Sequence, residues 1–351
     1  MKDAPGAKTQ ELLAVKDLSV SFDTEKGSVR ALFGVSFSML PGETLGLVGE
    51  SGCGKTITAL SILRLLASPP AKLDGGRIFF KGNDLLTLPE KLMRDVRGRE
   101  ISMVFQEPMT SMNPVLTVGE QVAEVFTAHN VCGKKEAAER AVEWLRKAQM
   151  PDPERRAKEY PHQLSGGMRQ RAMIAMALSL SPLLLIADEP TTALDVTIQA
   201  QIMELLREMR EQERMAVLLI THDLGVVHDF ADRTAIMYLG RIVEIAPTRE
   251  LFADPIHPYT QGLLASLPSS SRADKKLPSI PGMVPDLANV PPGCPFSPRC
   301  RYRQAALERF LSGGTSTDEL RVCDREPPPL FEFSPGHFVA CRHQRLVRGK
   351  N

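Results

Sequence analysis

Hydrophobic and polar positions alternate along the first forty residues of the chain. From Leu12 to about Leu40 the alternation forms runs such as LSVSF and VSFSM, which are typical of antiparallel strands with one covered face. Further along, short uninterrupted apolar runs begin at Thr44 (TLGLV), Ile101 (ISMVF), Leu183 (LLLIA) and Ala216 (AVLLI). Such runs predict strands buried on both faces of a largely parallel sheet.

Helical patterns separate these apolar runs. They extend over Ile57 to Leu66, Lys134 to Gln149, Met168 to Leu180 and Asp195 to Glu213. Because strands and helices alternate, we predict an α/β core that follows a small antiparallel β subdomain. Two further runs, Thr234 to Tyr238 and Arg241 to Ile245, flank a Leu-Gly pair and predict a hairpin that closes the core.

The composition of the chain changes after about residue 255. Prolines become dense, four of the six cysteines follow residue 290, and the one helical pattern left runs from Arg303 to Leu311. We therefore predict a core domain over residues 1–255 and a small Pro/Cys-rich C-terminal extension over residues 256–351.

Charge and hydropathy exclude several classes of protein. The 43 basic and 42 acidic residues nearly cancel, so no net field favours nucleic acid or an anionic membrane. The first residues lack the apolar core of a signal peptide, and we expect a cytosolic protein with reduced thiols. The most apolar stretch, Ala172 to Ala187, is too short to span a bilayer and contains Pro182. We expect no transmembrane helix, so other subunits would have to supply any membrane span.

A glycine-rich segment, GESGCGKT, follows the predicted strand TLGLV and precedes a helical pattern. It matches the phosphate-binding pattern G-x-x-x-x-G-K-[ST], whose backbone N–H groups surround phosphates at a helix start. Lys55 would reach the β- and γ-phosphates, and Thr56 would hold Mg²⁺. The predicted nucleotide-binding residues are Gly49, Glu50, Ser51, Gly52, Cys53, Gly54, Lys55 and Thr56.

Polar residues follow three of the predicted strands. Asp188 and Glu189 end the run LLLIADE, where an aspartate fits a Mg²⁺ ligand and a glutamate fits the general base for an attacking water. Gln106 follows ISMVF and could sense the metal and the water, while His222 follows LLIT and could contact the γ-phosphate. Either of these two alone would be interpreted as structural. Phe22 is a candidate for stacking on adenine, with a place in the core as the alternative.

The tetrapeptide LSGG occurs twice. In LSGGMRQR it opens a helical pattern, so Ser165 and the backbone amides of Gly166 and Gly167 would form a second phosphate cradle. The second copy, Leu311 to Gly314, ends a helical pattern, and there the glycines would stop a helix. We assign the second copy no nucleotide role.

These motifs, together with LLLIADEPTTALD and the Thr221-His222 pair, follow one another in a characteristic order. In that order they resemble the ATP-binding cassette (ABC) family of nucleotide-binding domains. The resemblance implies an α/β fold: an ABC-type P-loop ATPase core with an antiparallel β subdomain and a helical signature subdomain. It also implies that the signature helix of one subunit caps ATP and Mg²⁺ held by a second ATPase subunit. The implied assignments are Walker A for Gly49 to Thr56, Q-loop for Gln106, signature for Ser165 to Gly167, Walker B for Asp188 and Glu189, D-loop for Asp195 and switch histidine for His222.

Other segments are similar to the ATPases of dipeptide and oligopeptide importers, from about Leu12 to Cys341. They are QEPMTSMNP, YPHQLSGG, DEPTTALDVTIQAQI and HPYTQGLL. The similarity implies a peripheral subunit on the cytoplasmic face of the inner membrane, which hydrolyses ATP to drive two permease subunits. It also implies a paralogous ATPase as heterodimer partner and, indirectly, an extracytoplasmic peptide-binding protein. In such subunits the segment from Glu107 to about Val125 receives the permease's coupling helix, and a plain surface loop is the alternative.

A different class of function is an ABC ATPase that acts on nucleic acid or on an enzyme complex without a permease. The near-zero net charge and the absence of long coiled-coil insertions argue against it. We therefore expect no nucleic-acid partner.

Four cysteines of the extension, Cys294, Cys300, Cys323 and Cys341, follow the spacing C-x5-C-x22-C-x17-C. Four thiols in a segment poor in apolar residues suggest a bound metal centre, although the tight C-x2-C pair of zinc sites is absent. Relatives in the peptide-importer group carry a [4Fe-4S] cluster on a tail resembling GCPFSPRC and GHFVAC, which implies a cluster here. Bare thiols and zinc are the alternatives. The stretch from Arg301 to Val322 is longer than in those relatives, and Cys323 is therefore the cysteine whose assignment as a ligand the resemblance supports least.

Overall fold

The computed structural model describes residues 10–25, 27–192, 194–267, 279–304 and 323–342. Its strands are β1 (Leu13–Thr24), β2 (Gly27–Met39), β3 (Thr44–Val48), β4 (Ala71–Phe80), β5 (Asn83–Asp84), β6 (Ile101–Val104), β7 (Leu184–Asp188), β8 (Ala216–Thr221), β9 (Arg233–Tyr238), β10 (Arg241–Pro247), β11 (Phe331–Ser334) and β12 (His337–Val339). Its α-helices are α1 (Lys55–Ile62), α2 (Glu90–Val96), α3 (Pro108–Ser111), α4 (Val118–Ala128), α5 (Lys134–Lys147), α6 (Pro153–Arg156), α7 (Gly166–Leu178), α8 (Val196–Glu213), α9 (Leu224–Phe230), α10 (Thr248–Ala253) and α11 (Pro258–Ala265).

The strands form two sheets. A smaller antiparallel sheet has the order β2-β1-β4-β5, and a larger mixed sheet has the order β11-β12-β10-β9-β3-β8-β7-β6. Within the larger sheet β9, β3, β8, β7 and β6 are parallel, so their carboxyl ends lie at one edge. This arrangement confirms the predicted α/β core with an antiparallel β subdomain.

Both faces of the larger sheet are covered, which explains the continuous apolar runs. Successive residues of a strand point to opposite faces. In β8, for example, Leu218 and Ile220 pack toward the smaller sheet and α1, while Val217 and Leu219 pack toward α4, α5, α7 and α8. Every residue of β3, β7 and β8 is buried as a result. The molecule therefore has two hydrophobic layers, one on each side of the parallel strands.

The predicted elements of the core are confirmed within a few residues at their ends. The strand that begins at Ile101 ends at Val104, so Gln106 lies in the loop beyond it. The sequence did not predict β4, where the Gly75-Gly76 pair and an exposed Leu73 interrupt the apolar alternation. The predicted helical pattern from Arg303 to Leu311 and the second LSGG lie mostly or wholly outside the described residues.

The C-terminal extension adds a hairpin to the larger sheet. β12 pairs with β10 through Glu244 and Ile245, and β11 pairs with β12 at the edge. Glu244 is fully buried and accepts hydrogen bonds from the backbone N–H groups of Ile256 (2.7 Å) and His257 (3.0 Å). The same carboxylate lies 2.7 Å from Nε2 of the buried His337. One buried acid thus connects the sheet, the start of the extension and its last hairpin. The boundary near residue 255 stays a prediction.

Among the helices of the described ranges, none combines the length and the apolar character that crossing a membrane requires.

Candidate nucleotide-hydrolysis site

The polar residues predicted to act on a nucleotide follow neighbouring strands. β3, β8, β7 and β6 are adjacent and parallel, and the loops after their carboxyl ends carry the glycine-rich segment, His222, Glu189 and Gln106 respectively. In open α/β sheets this edge is where ligands bind. The topology alone therefore collects four predicted motifs that are far apart in sequence.

The glycine-rich loop, residues Gly49 to Gly54, connects β3 directly to α1. Gly54 precedes the helix with a φ of 107°, which side-chain-bearing residues rarely adopt. Gly49 has no space for a side chain, because a Cβ there would lie 2.2 Å from the carbonyl oxygen of Met237. The loop is consequently held close against β9 and leads its backbone into the N-terminus of α1.

Lys55 points back into this loop instead of out to solvent. Only 6% of the residue is exposed, and its Nζ donates to the carbonyl oxygens of Gly49 (2.8 Å) and Glu50 (3.2 Å). Cys53 is buried beside it, and burial raises the pKa of the Cys53 thiol. A lysine at the N-terminus of the helix that follows a glycine-rich loop is the arrangement that recognises phosphate groups.

The carboxylate of Glu189 is the meeting point of three loops. Its Oε2 accepts hydrogen bonds from Nε2 of Gln106 (3.2 Å) and from Oγ1 of Thr192 (2.8 Å), and its Oε1 lies 3.3 Å from Nδ1 of His222. The Glu189 side chain is only 14% exposed, whereas His222 is largely exposed. Glu189 also has a φ of 48°, an uncommon conformation for a non-glycine residue and one often found at functional sites.

Asp188 is a buried carboxylate with an unsatisfied oxygen. The residue is 1% exposed, and within the described ranges its Oδ1 has no hydrogen-bond partner. Burial raises the pKa of this carboxyl group, while a hydrogen bond from the Thr56 side chain opposes the rise. Buried carboxylates are normally paired or bound to a metal. An Asp oxygen beside a Thr hydroxyl at the end of a phosphate loop therefore fits Mg²⁺, which prefers hard oxygen ligands.

The signature segment lies at the start of a helix, as predicted. Ser165 is exposed and caps α7, with its Oγ accepting from the Met168 N–H at 3.4 Å. Asp195 caps α8 in the same way, accepting from the Ile198 N–H at 2.9 Å. The two helix starts are in contact, because a Cβ on Gly167 would lie 2.8 Å from the Ile198 side chain. Their roles toward a nucleotide stay predictions, as does that of Phe22, a residue of β1 that is partly buried against the core.

The four cysteines of the extension line one small cavity together with His257, Phe296 and Pro328. Burial is the main cause that raises the pKa of Cys294 to about 12, and the neighbouring thiols of Cys323 and Cys300 contribute to this rise. Nevertheless, the described residues contain no group of three or more His, Cys, Asp or Glu side chains that could hold a metal ion. The four cysteines lie around one cavity, but their side chains are not arranged as metal ligands. The geometry therefore does not support the metal centre predicted from their spacing.

Sequence reasoning missed several residues that contact the predicted site. Thr192 lies three residues after Glu189, and its hydroxyl contact could have been expected from that spacing in DEPTT. Tyr259 and Arg299 both reach Glu50 of the phosphate loop from the extension. They are more than 200 residues away in sequence, and no local pattern indicates such a contact.

Comparison with known proteins agrees with this geometry. Residues 20–192 match the model of the ABC transporter family, and residues 243–306 match that of the oligopeptide/dipeptide transporter C-terminal region. The probable peptide ABC transporter ATP-binding protein y4tR of Sinorhizobium fredii is 51% identical over 97% of this chain and 97% of its own. The oligopeptide transport ATP-binding protein OppD of Bacillus subtilis is 48% identical over 95% of this chain and 88% of its own.

Among solved structures, the ATP-binding cassette MJ0796, in a dimeric post-hydrolysis state bound to ADP and Pi, superposes with a TM-score of 0.61. It is 28% identical and covers 68% of this chain and 99% of its own. The fold and these similarities define an ATPase of the ABC class. More narrowly, the chain belongs to the family of ATP-binding proteins of peptide ABC transporters.

Proposed function

We propose that this protein hydrolyses ATP to drive a membrane importer of dipeptides or oligopeptides. The convergence of Gln106, Thr192 and His222 on the Glu189 carboxylate, next to the unsatisfied oxygen of Asp188, carries the proposal. The similarity to peptide transport ATP-binding proteins over nearly the whole chain supports the nature of the cargo.

The residues of the phosphate loop and those at the acidic end of β7 have different roles in binding MgATP. Lys55 and the amides of Gly49 to Gly54 hold the triphosphate, with Phe22 against the adenine. The Thr56 hydroxyl and Asp188 would hold Mg²⁺, which would neutralise charge on the phosphates. These side chains and amides suit ATP and Mg²⁺, and a bound Mg²⁺ would give the otherwise unsatisfied Oδ1 of Asp188 a partner.

Glu189 acts as the general base for the attacking water. The Glu189 carboxylate already accepts two hydrogen bonds, which fix its orientation. It can therefore accept the proton of the water without first changing its rotamer. Gln106 orients this carboxylate and the water. Nδ1 of His222 lies 3.3 Å from the other carboxylate oxygen, and its exposed side chain would contact the γ-phosphate.

The chain works as one half of a pair. Ser165 is exposed and Gly166 and Gly167 are half-buried at the start of α7, where the three residues would cap the ATP bound by a second ATPase subunit. The exposed Asp195 begins the neighbouring helix α8. We propose a paralogous ATPase as the partner, forming a heterodimer bound to two permease subunits at the cytoplasmic face of the inner membrane. Residues 1–255 form the ATPase domain and residues 256–351 the extension.

We further propose that Cys294, Cys300, Cys323 and Cys341 bind a [4Fe-4S] cluster. The proposal rests on the resemblance of GCPFSPRC and GHFVAC to cluster-bearing tails and on the fact that the four thiols line one cavity, although they are not arranged as ligands there. Anaerobic purification followed by iron and sulfide analysis tests it. Near-stoichiometric iron and sulfide, lost on Cys294→Ser, is the expected result, whereas a colourless iron-free protein or one that retains zinc instead would contradict it.

The transport function is tested by expressing the chain with its membrane subunits and measuring peptide uptake into vesicles. We expect ATP-dependent uptake that is lost on Lys55→Ala, with the ATPase remaining bound to the permease. Purification without any membrane subunit, but with nucleic acid or with a soluble enzyme complex, would favour the alternative class of ABC ATPase.

A further inference from the structure

The phosphate loop is attached to the C-terminal extension by an ion pair between a buried arginine and a partly exposed glutamate. Arg299 is 5% exposed, and its Nη1 and Nη2 donate to Oε2 (2.9 Å) and Oε1 (3.3 Å) of Glu50. This is a bidentate pair, the geometry in which guanidinium and carboxylate groups bind most specifically. Its Nε also donates to the Pro281 carbonyl oxygen at 3.1 Å, so the extension itself fixes the guanidinium plane.

A second contact holds the backbone of the same loop residue. The N–H of Glu50 donates to the hydroxyl oxygen of Tyr259 at 3.1 Å, and Tyr259 is fully buried. Its ring packs against Tyr238 of β9 and Phe296 of the extension, with centroid separations of 4.7 and 5.5 Å. Both the side chain and the amide of Glu50 are therefore held by residues that follow the predicted boundary near 255.

Glu50 in turn contacts the lysine of the loop. Its carbonyl oxygen accepts from Lys55 Nζ at 3.2 Å. A continuous series of polar contacts thus runs from the Arg299 guanidinium, through residue Glu50, to the ammonium group that is to bind phosphate. Arg299 is also the residue immediately before Cys300 of the four-cysteine cavity.

We infer that Arg299 is a positioning residue of the ATPase site: by holding Glu50 it fixes the phosphate loop in its nucleotide-binding conformation. The inference rests on the proposed role of Gly49 to Thr56 in binding ATP. It gives the extension a direct effect on nucleotide affinity. A pair that merely anchored the extension would change stability and leave affinity unaltered.

The test measures the Kd of MgADP by calorimetry on the full chain, well below the melting temperature of each variant, together with KM and kcat for ATP in the assembled transporter. The variants are Arg299→Met, Glu50→Gln and the double variant. Arg303→Met is the matched control, because Arg303 is also an arginine of the extension but pairs with Asp324, away from the loop. Lys55→Ala checks the nucleotide site itself.

We expect Arg299→Met and Glu50→Gln each to raise the Kd of MgADP about fivefold, with KM for ATP rising in parallel and kcat changing less. The double variant should bind no more weakly than the weaker single variant, because both remove the same pair. Arg303→Met should bind as the unmodified protein does. Should Arg299→Met fail to fold, Glu50→Gln, which deletes no buried atom, carries the test.

The inference is refuted if either folded variant binds MgADP as tightly as the unmodified protein, or if the two losses add in the double variant. A Lys55→Ala variant that binds MgADP normally would instead refute the proposed nucleotide site. The two failures are therefore distinguishable.

Discussion

The replacement Glu189→Gln separates the chemical role of this residue from its structural one. Oε2 of Glu189 accepts from both Gln106 and Thr192, so the amide oxygen of a glutamine would keep that position. Its NH₂ group would then face Nδ1 of His222, which can accept a hydrogen bond when the other ring nitrogen carries the proton. The contacts of the site survive, and only the basicity of the side chain is removed.

The size of the effect follows from the loss of a general base. Such a group contributes about 10²- to 10⁴-fold to a rate, which corresponds to roughly 3–5 kcal/mol of activation free energy. We expect kcat for ATP hydrolysis by the assembled transporter to fall by that factor. Because the phosphate loop is untouched, the affinity for MgATP should be retained.

Phosphate release under saturating MgATP, together with calorimetric binding of MgATP, measures both quantities. The matched control is Glu43→Gln, a half-buried glutamate that pairs with Arg233 next to the opposite end of β3. It should leave kcat at the unmodified value. Turnover in Glu189→Gln within a few-fold of normal would remove Glu189 from the role of base, and weakened MgATP binding would show that its role is structural.

Three further predictions concern buried groups. Asp188→Asn should lower the apparent Mg²⁺ affinity in the presence of ATP about tenfold or more, as measured by magnesium titration. It should also raise the melting temperature of the metal-free protein, because a neutral amide is less costly to bury than a carboxylate with one unsatisfied oxygen. Burial lowers the pKa of His257 from 6.5 to about 4, so the unfolded state binds more protons between these values and the free energy of unfolding should fall by about 2 kcal/mol from pH 7 to pH 5. In urea unfolding, His257→Asn, which keeps the cap on the Tyr259 N–H, should lack this loss. An unchanged dependence of the unfolding free energy on pH in this variant would contradict the assignment. Phe296→Ala should cost about 3–5 kcal/mol in the unfolding of the extension, because the 3%-exposed ring packs on Tyr238 and Tyr259; urea unfolding measures it, and a loss below about 1 kcal/mol would show that the cluster is loosely packed.

The sequence predicts the parallel core well because the strands of that core correspond to continuous apolar runs. TLGLV and AVLLI become β3 and β8 with every residue buried, and the polar residue after each such strand necessarily lies at one sheet edge. For the same reason, the motifs identify Glu189 and His222 as neighbours in space once β7 and β8 are taken as adjacent strands. Local pattern and global topology agree here.

The extension is less predictable because its contacts are long-range. β11 and β12 are only four and three residues long, and they form because they add to the free edge of β10. The pair between Glu50 and Arg299 spans 249 positions. Neither feature leaves a periodic signal, and both depend on a sheet edge and a loop that other parts of the chain build.

The most direct test of the proposed site is a structure of Glu189→Gln with MgATP in the assembled transporter. We expect Mg²⁺ to be coordinated by the Thr56 hydroxyl and the Asp188 carboxylate, and the γ-phosphate to lie between Gln106, residue 189 and His222. We expect the signature serine of the neighbouring ATPase subunit to close the site from the other side. A triphosphate bound away from Lys55, or Mg²⁺ without contact to Asp188, would contradict the arrangement on which the proposed mechanism depends.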